Sequence, residues 1–172
     1  MKILNLHGFL GKADNRSYAA LCKIMPKENI ISPQIDFMKE KPDDIIVQLS
    51  FIADDEQPLI VMGQSLGGYL AYQLARWYSL PCILTNPCLF PERCGVIVNS
   101  GISEEILSCY HGSAEPTNDT WILCSDNDTI IPDNIEVCRR VTPNVQVVPG
   151  THSNIPGLSE YLIPILNAIE NG

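Results

Sequence analysis

The sequence predicts an α/β fold: a sheet of about six mostly parallel strands with helices on both faces. Three observations carry this expectation. Short apolar runs alternate with longer segments of helical period along nearly the whole chain. One of these runs, Leu59–Met62, meets a glycine-flanked serine and then an amphipathic helix, a strand–corner–helix unit. The 172 residues, 45% hydrophobic and 18% charged, fit one soluble domain with a sizeable core, without repeats, low-complexity tracts or an interdomain linker.

Taken in order, Ile3–Leu6 reads as the first strand, and a helix near Ser17–Ile24 leads to a second strand at Ile30–Pro33. Pro42-Asp43-Asp44 is a helix start, with Ile45, Ile46, Leu49 and Ile52 on one face. Leu59–Met62 is the third strand, Leu66–Tyr78 the helix after it, and Cys82–Thr85 the fourth strand. Trp121–Cys124 and Val145–Val148 supply the fifth and sixth, with a short helix at Asp133–Arg140 between them. Leu158–Ile169 closes the chain as a helix in which Pro164 predicts a kink or a break. Residues 87–119 make a long connection, with Ile102–Tyr110 helical in pattern. They form either a crossover helix with a loose loop or a small lid over a cleft.

Charge and cysteines narrow the function classes. The formal net charge of −9 disfavours nucleic acid and anionic membrane surfaces as partners and makes a small neutral or cationic substrate easier to accommodate. Lys12 and Arg16 are read as solvated charges, although they could attract one anionic group. No apolar run is long enough to span a bilayer, and Asn5, His7 and Gly8 interrupt any signal-peptide core. A cytoplasmic location is the expectation, and seven cysteines without a signal sequence fit free thiols better than disulfides. Cys82, Cys88 and Cys94 lack the close pairing of zinc sites, so neither a metal nor a cofactor is expected. The oligomeric state is left open.

The corner Gly63-Gln64-Ser65-Leu66-Gly67 fits G-x-S-x-G. Glycines are needed because neighbouring backbone crowds so sharp a turn. The turn lifts the Ser65 hydroxyl above the C-terminal edge of the sheet and aims a helix N-terminus at it. A glycine-rich turn that binds nothing is the bland alternative. A phosphate cradle is disfavoured, because the corner lacks both the lysine of a P-loop and dinucleotide-type glycine spacing.

A serine hydroxyl needs a base, and the base needs an orienting acid. Among three histidines, His111 lies in the long connection and reads as exposed, and His7 follows the first strand and reads as a loop brace. His152, just after the sixth strand, shares the sheet edge with Ser65 and is the candidate base. Asp126 and Asp128 both follow the fifth strand; one should be the acid and the other structural. An oxyanion hole requires two N–H groups, for which Leu66 and, within "HGFLG", Phe9 are the candidates.

The pieces "LNLHGFLG", "GQSLGGYLAYQLARWYSLPCILTNP", "SDNDTIIP" and "GTHSNI" resemble an α/β-hydrolase, and among these the small bacterial YqiA-like esterase group. The resemblance spreads over nearly the whole chain and is most specific from Gly63 to Pro87. It implies a reduced hydrolase sheet lacking the first two strands of the full-length fold, with a small lid or none. It implies Ser65 as nucleophile, His152 as base, Asp128 rather than Asp126 as acid, and Phe9 and Leu66 as oxyanion donors. The function expected is hydrolysis of a carboxylic or thio ester with a short acyl chain through an acyl-enzyme. A non-catalytic binding protein on the same fold and an acyltransferase are the alternatives.

Overall fold

The computed structural model describes residues 1–57 and 59–171. Six parallel strands form one sheet: β1 (Lys2–Leu6), β2 (Ile30–Ile31), β3 (Leu59–Gln64), β4 (Cys82–Thr85), β5 (Thr120–Asn127) and β6 (Val145–Thr151). Their order is β2-β1-β3-β4-β5-β6. The helices are α1 (Arg16–Leu21), α2 (Pro42–Asp55), α3 (Leu66–Tyr78), α4 (Gly95–Val98), α5 (Glu104–Leu107), α6 (Asn134–Val141) and α7 (Leu158–Asn171).

Side-chain alternation along the strands divides the core in two. Leu4, Val61, Leu84 and Ile122 face one side and pack with α2, α3, α6 and parts of the long connection. Ile3, Ile60, Ile83 and Leu123 face the other and pack with α1 and α7. Both faces are therefore covered, as a parallel sheet requires. The chain runs outward from β1 to β2 and then returns past β1 to β3, so the strand order reverses between β1 and β3. The crevice at the C-terminal ends of two such strands is where open α/β sheets bind ligands.

Several elements differ in extent from the expectation. The first helix stops at Leu21 rather than Ile24. It is followed by turns into Met25, whose helical conformation Pro26 disfavours. Its start is capped by the Asn15 side chain, which accepts from the Tyr18 N–H at 2.8 Å. The second strand pairs only through Ile31. Beyond it the Ser32 hydroxyl donates to the Ala13 carbonyl at 2.5 Å, and Pro33 has no N–H to offer a ladder. The fifth strand runs on to Asn127 through an irregularity between Ser125 and Asn127. Pro132 lies in a turn, and the helix after it begins at Asn134.

The last helix is unbroken through Pro164. Pro164 and Glu160 are both on the exposed face, so the carbonyl that loses its N–H partner can turn to water. Leu162, Ile165 and Leu166 keep the opposite face packed on the sheet.

In the connection between β4 and β5, the predicted helix is reduced to the single turn of α5, with α4 as a second short turn. Ile97, Ile102, Ile106 and Tyr110 from this segment are buried in the first core cluster. All seven cysteines are free thiols, and Cys82, Cys88, Cys94, Cys124 and Cys138 are buried. Among the described residues no helix is long and apolar enough to cross a membrane, and no cluster of His, Cys, Asp or Glu is arranged to hold a metal ion.

Candidate active site

Ser65 stands at the end of β3 in a conformation L-residues rarely adopt, φ 53° and ψ −120°. The strain is sustained by backbone on every side. The Ser65 N–H donates to the Thr85 carbonyl at 3.1 Å, while the Ser65 carbonyl accepts from Gly68 at 2.9 Å and Cys88 at 2.9 Å. A Cβ on Gly67 would lie 2.3 Å from the His7 carbonyl oxygen and 2.4 Å from that of Leu6; one on Gly63 would lie 2.3 Å from the Gly67 oxygen. These contacts are with main chain, so the glycines are a steric condition of the corner. Gly68 is likewise tight, but its neighbour is Pro87 after β4.

The Ser65 hydroxyl lies 2.8 Å from His152 Nε2. His152 Nδ1 lies 2.9 Å from Asp128 Oδ2. The serine, histidine and aspartate therefore form one continuous hydrogen-bonded chain, with the carboxylate side chain 5% and the imidazole 11% exposed. The other carboxylate oxygen, Asp128 Oδ1, accepts from the Ile130 and Ile131 N–H groups, both at 3.0 Å. That grip fixes the carboxylate plane. Since Oδ2 can only accept, Nδ1 carries the proton and Nε2 is free to receive one from the serine.

Asp126, the other acid considered, lies within β5 rather than after it, on the exposed side. Its Oδ1 accepts from the Gly150 N–H at 3.1 Å and so ties the end of β6 to β5. Asp126 thus makes a structural bond alone, whereas Asp128 both caps a turn and bonds to His152.

His7 braces its loop. Its Nε2 accepts from the Ile35 N–H at 3.0 Å and from the Gln34 amide at 3.1 Å, so Nδ1 is protonated and donates to the Gly8 carbonyl at 2.8 Å. Burial holds its pKa below the usual histidine value. His111 is exposed.

The loop that His7 braces packs on the elbow: a Cβ on Gly8 would meet Gln64 Oε1 at 2.6 Å and Ser65 Cβ at 3.1 Å. The Phe9 N–H that follows donates to no acceptor in the hydrogen-bond network of the described residues. Leu66 is the first residue of α3, where helix geometry leaves an N–H without an intrahelical partner. Both candidate donors thus border Ser65 from different elements.

Two residues that the sequence reading gave no role complete the frame. Asn86, buried and at φ 43°, donates from Nδ2 to the carbonyls of His152 at 3.0 Å and Thr151 at 3.1 Å. Gln64 Nε2 donates to the same His152 carbonyl at 3.2 Å. The sequence signal was slight: an unspecified position inside G-x-S-x-G, and an Asn after a strand, one of the few residue types tolerating a left-handed conformation.

Comparison with known proteins bears on the family and the fold. The model of the family described as "Uncharacterised protein family (UPF0227)" matches residues 2–96, more than half of the chain, including Phe9 and Ser65. No curated protein sequence matches. Among solved structures, alpha/beta hydrolase domain-containing protein 10 from mouse superposes with a TM-score of 0.72 at 17% identity, over 99% of this chain and 90% of that one. The type II thioesterase BorB from the borrelidin biosynthetic cluster gives 0.64 at 18% identity, over 99% and 89%. Est1E from Butyrivibrio proteoclasticus gives 0.65 at 13%, over 96% and 88%. At such identities the likeness is one of fold, and the fold is that of the α/β-hydrolases. The chain accordingly belongs to the Uncharacterised protein family (UPF0227), and it has the α/β-hydrolase fold.

Proposed function

We propose that this protein is a serine hydrolase of carboxylic or thio esters, with Ser65 as nucleophile, His152 as general base and Asp128 as its orienting acid. The observation that carries the reading is the unbroken chain from Ser65 Oγ through His152 to Asp128, at 2.8 Å and 2.9 Å.

Ser65 attacks the acyl carbonyl as His152 Nε2 takes its proton. The tetrahedral oxyanion rests on the Phe9 and Leu66 N–H groups, aided by the N-terminus of α3. His152 then delivers the proton to the leaving alcohol or thiol, leaving an acyl group on Ser65. Water, activated by the same imidazole, releases the acid. Asp128 holds the imidazole in the tautomer with Nδ1 protonated and stabilises the imidazolium between the steps. BorB is a type II thioesterase, and esters and thioesters share this chemistry.

The acyl group is short. The hollow beside the oxyanion loop, about 250 Å³ and bordered by Phe9, Leu10, Phe37 and Met38 together with the polar Gln34 and Asp36, supports a small one by its size. The whole chain acts as one domain, and residues 87–119 serve as a fixed wall rather than a moving lid. Supporting this are the burial of Ile97, Ile106 and Tyr110 and the Lys41–Glu105 ion pair at 2.6 Å, which ties the segment to α2. A small-molecule ester in the cytoplasm is the substrate setting this reading implies.

The test is hydrolysis of p-nitrophenyl acetate by wild type and by Ser65→Ala. Turnover lost in the variant is the expected result. Equal rates in the two proteins would reject Ser65 as nucleophile.

A further inference from the structure

We propose that the cavity beside His152 receives the leaving group of the substrate, and that this group is an alcohol or thiol bearing a phosphate. The inference rests on the hydrolase reading above.

The cavity, about 580 Å³, is walled by α1 and the loop before it on one side and by residues 152–159 on the other. Its size falls in the range of small-molecule sites. Gly11 of the oxyanion loop, Gln64 and His152 itself are in its wall. Gln64 precedes Ser65 in the chain and His152 is hydrogen-bonded to its hydroxyl, so the cavity adjoins the Ser65–His152 pair, although Ser65 itself is not in its wall. The chemistry fixes which half of an ester lies there. His152 must hand its proton to the departing oxygen or sulfur, so the leaving group sits on the histidine side of the acyl carbon.

The overall charge favours neutral or cationic substrates, but the charge around this cavity selects differently among leaving groups. The chain carries 20 acidic against 11 basic residues, yet Lys12, Arg16 and Lys23 all line this cavity and Asp14 is the one carboxylate that does. None of the three cations forms an ion pair among the described residues. Arg16 Nη1 donates to the Ser153 carbonyl at 2.9 Å, which holds the guanidinium across the cavity next to His152 and leaves its other donors free. An arginine with two lysines suits a phosphate, which takes the guanidinium fork and two point charges. Exposed ion pairs are individually weak, so the three together correspond to about tenfold in affinity.

The experiment compares two acetyl esters, that of hydroxyethyl phosphate and that of ethylene glycol, in wild type and in Lys12→Glu/Lys23→Glu. Both lysines are exposed and outside the reacting chain, so turnover of the neutral ester should be unchanged. Wild type should prefer the phosphorylated ester about tenfold in kcat/KM. The preference should vanish in the double variant and shrink with added salt. In parallel, hydroxyethyl phosphate and ethylene glycol are titrated into Ser65→Ala, followed by amide resonances of residues 12–17 and 153–158. Shifts with the phosphate alone support the site even if neither ester is cleaved, and that outcome would sink the hydrolase reading instead. Hydrolysis of both esters at equal rates, or a preference that survives charge reversal, would overturn the cavity proposal while leaving the hydrolase reading in place.

Discussion

Asn86 holds His152 by its backbone: the Asn86 amide donates to the His152 carbonyl at 3.0 Å, from a residue at φ 43° just after β4. The same side chain donates to Ser125 Oγ at 2.8 Å and accepts from the Ser125 N–H at 2.6 Å. One buried amide thus links the ends of β4, β5 and β6 to one another and to the His152 main chain. Such a network is rigid when every member is satisfied and costly when one is not.

Replacing Asn86 by Asp keeps the size and the acceptor but removes every donated bond. We expect turnover to fall about a hundredfold with KM little changed, because a small displacement of the base is amplified in the rate. Stability should fall by about 2–4 kcal/mol as buried acceptors lose their partners. Steady-state kinetics and urea unfolding on the same preparation check both.

Asp128→Asn should lower kcat by about four orders of magnitude, since an amide can hold the imidazole in the wrong tautomer. Asp126→Asn should change kcat by no more than a few fold, because an amide oxygen can still accept from the Gly150 N–H. The reverse pattern would move the acid to Asp126.

Gly67→Ala should cost at least about 3 kcal/mol or prevent folding, since the new methyl would be pressed against the main chain of Leu6 and His7, which cannot yield. Gly95→Ala is the matched control. Nothing lies within 4 Å of a Cβ there, and the substitution should be neutral or stabilising by up to about 1 kcal/mol. Thermal unfolding of the two variants distinguishes a steric requirement from a general sensitivity to lost glycine.

His7 makes stability depend on pH. Burial lowers its folded pKa, so the unfolded chain binds the extra proton more readily. The proton count is then higher in the unfolded state, and stability rises with pH through this window. Stability from this source is complete above the unfolded histidine value of about 6.5 and is lost as pH falls toward the folded value. Protonation also removes the acceptor used by the Ile35 N–H. We expect Tm to drop on acidification from neutral pH and His7→Gln to flatten that slope, at the cost of a lower Tm at neutral pH. An equal slope in the variant would assign the effect to other groups.

Much of this arrangement was legible in the chain itself. Helices α2 and α3 and strand β4 lie where their periodicity put them, because each buries a continuous apolar face and is bounded by clear stop signals. Ser65 and His152 were legible for another reason: each follows an apolar run, and in a parallel sheet all such runs end on one edge. The illegible parts are those that neighbours impose. α4 and α5 are single turns, held more by burial in the core than by their own propensity. Helix α7 crosses Pro164 intact because its far side is packed.

Period, glycine spacing and strand direction are local properties of the chain, and they specify the parallel sheet, the sharp serine corner and the sheet edge on which Ser65 and His152 lie. Packing of distant segments set Asp128 rather than Asp126 against His152, brought Asn86 and Gln64 onto the His152 carbonyl, and gathered Lys12, Arg16 and Lys23 around one cavity. Those relationships join residues far apart in the chain, and their geometry exists only once β1, β3, β4, β5 and β6 are packed side by side.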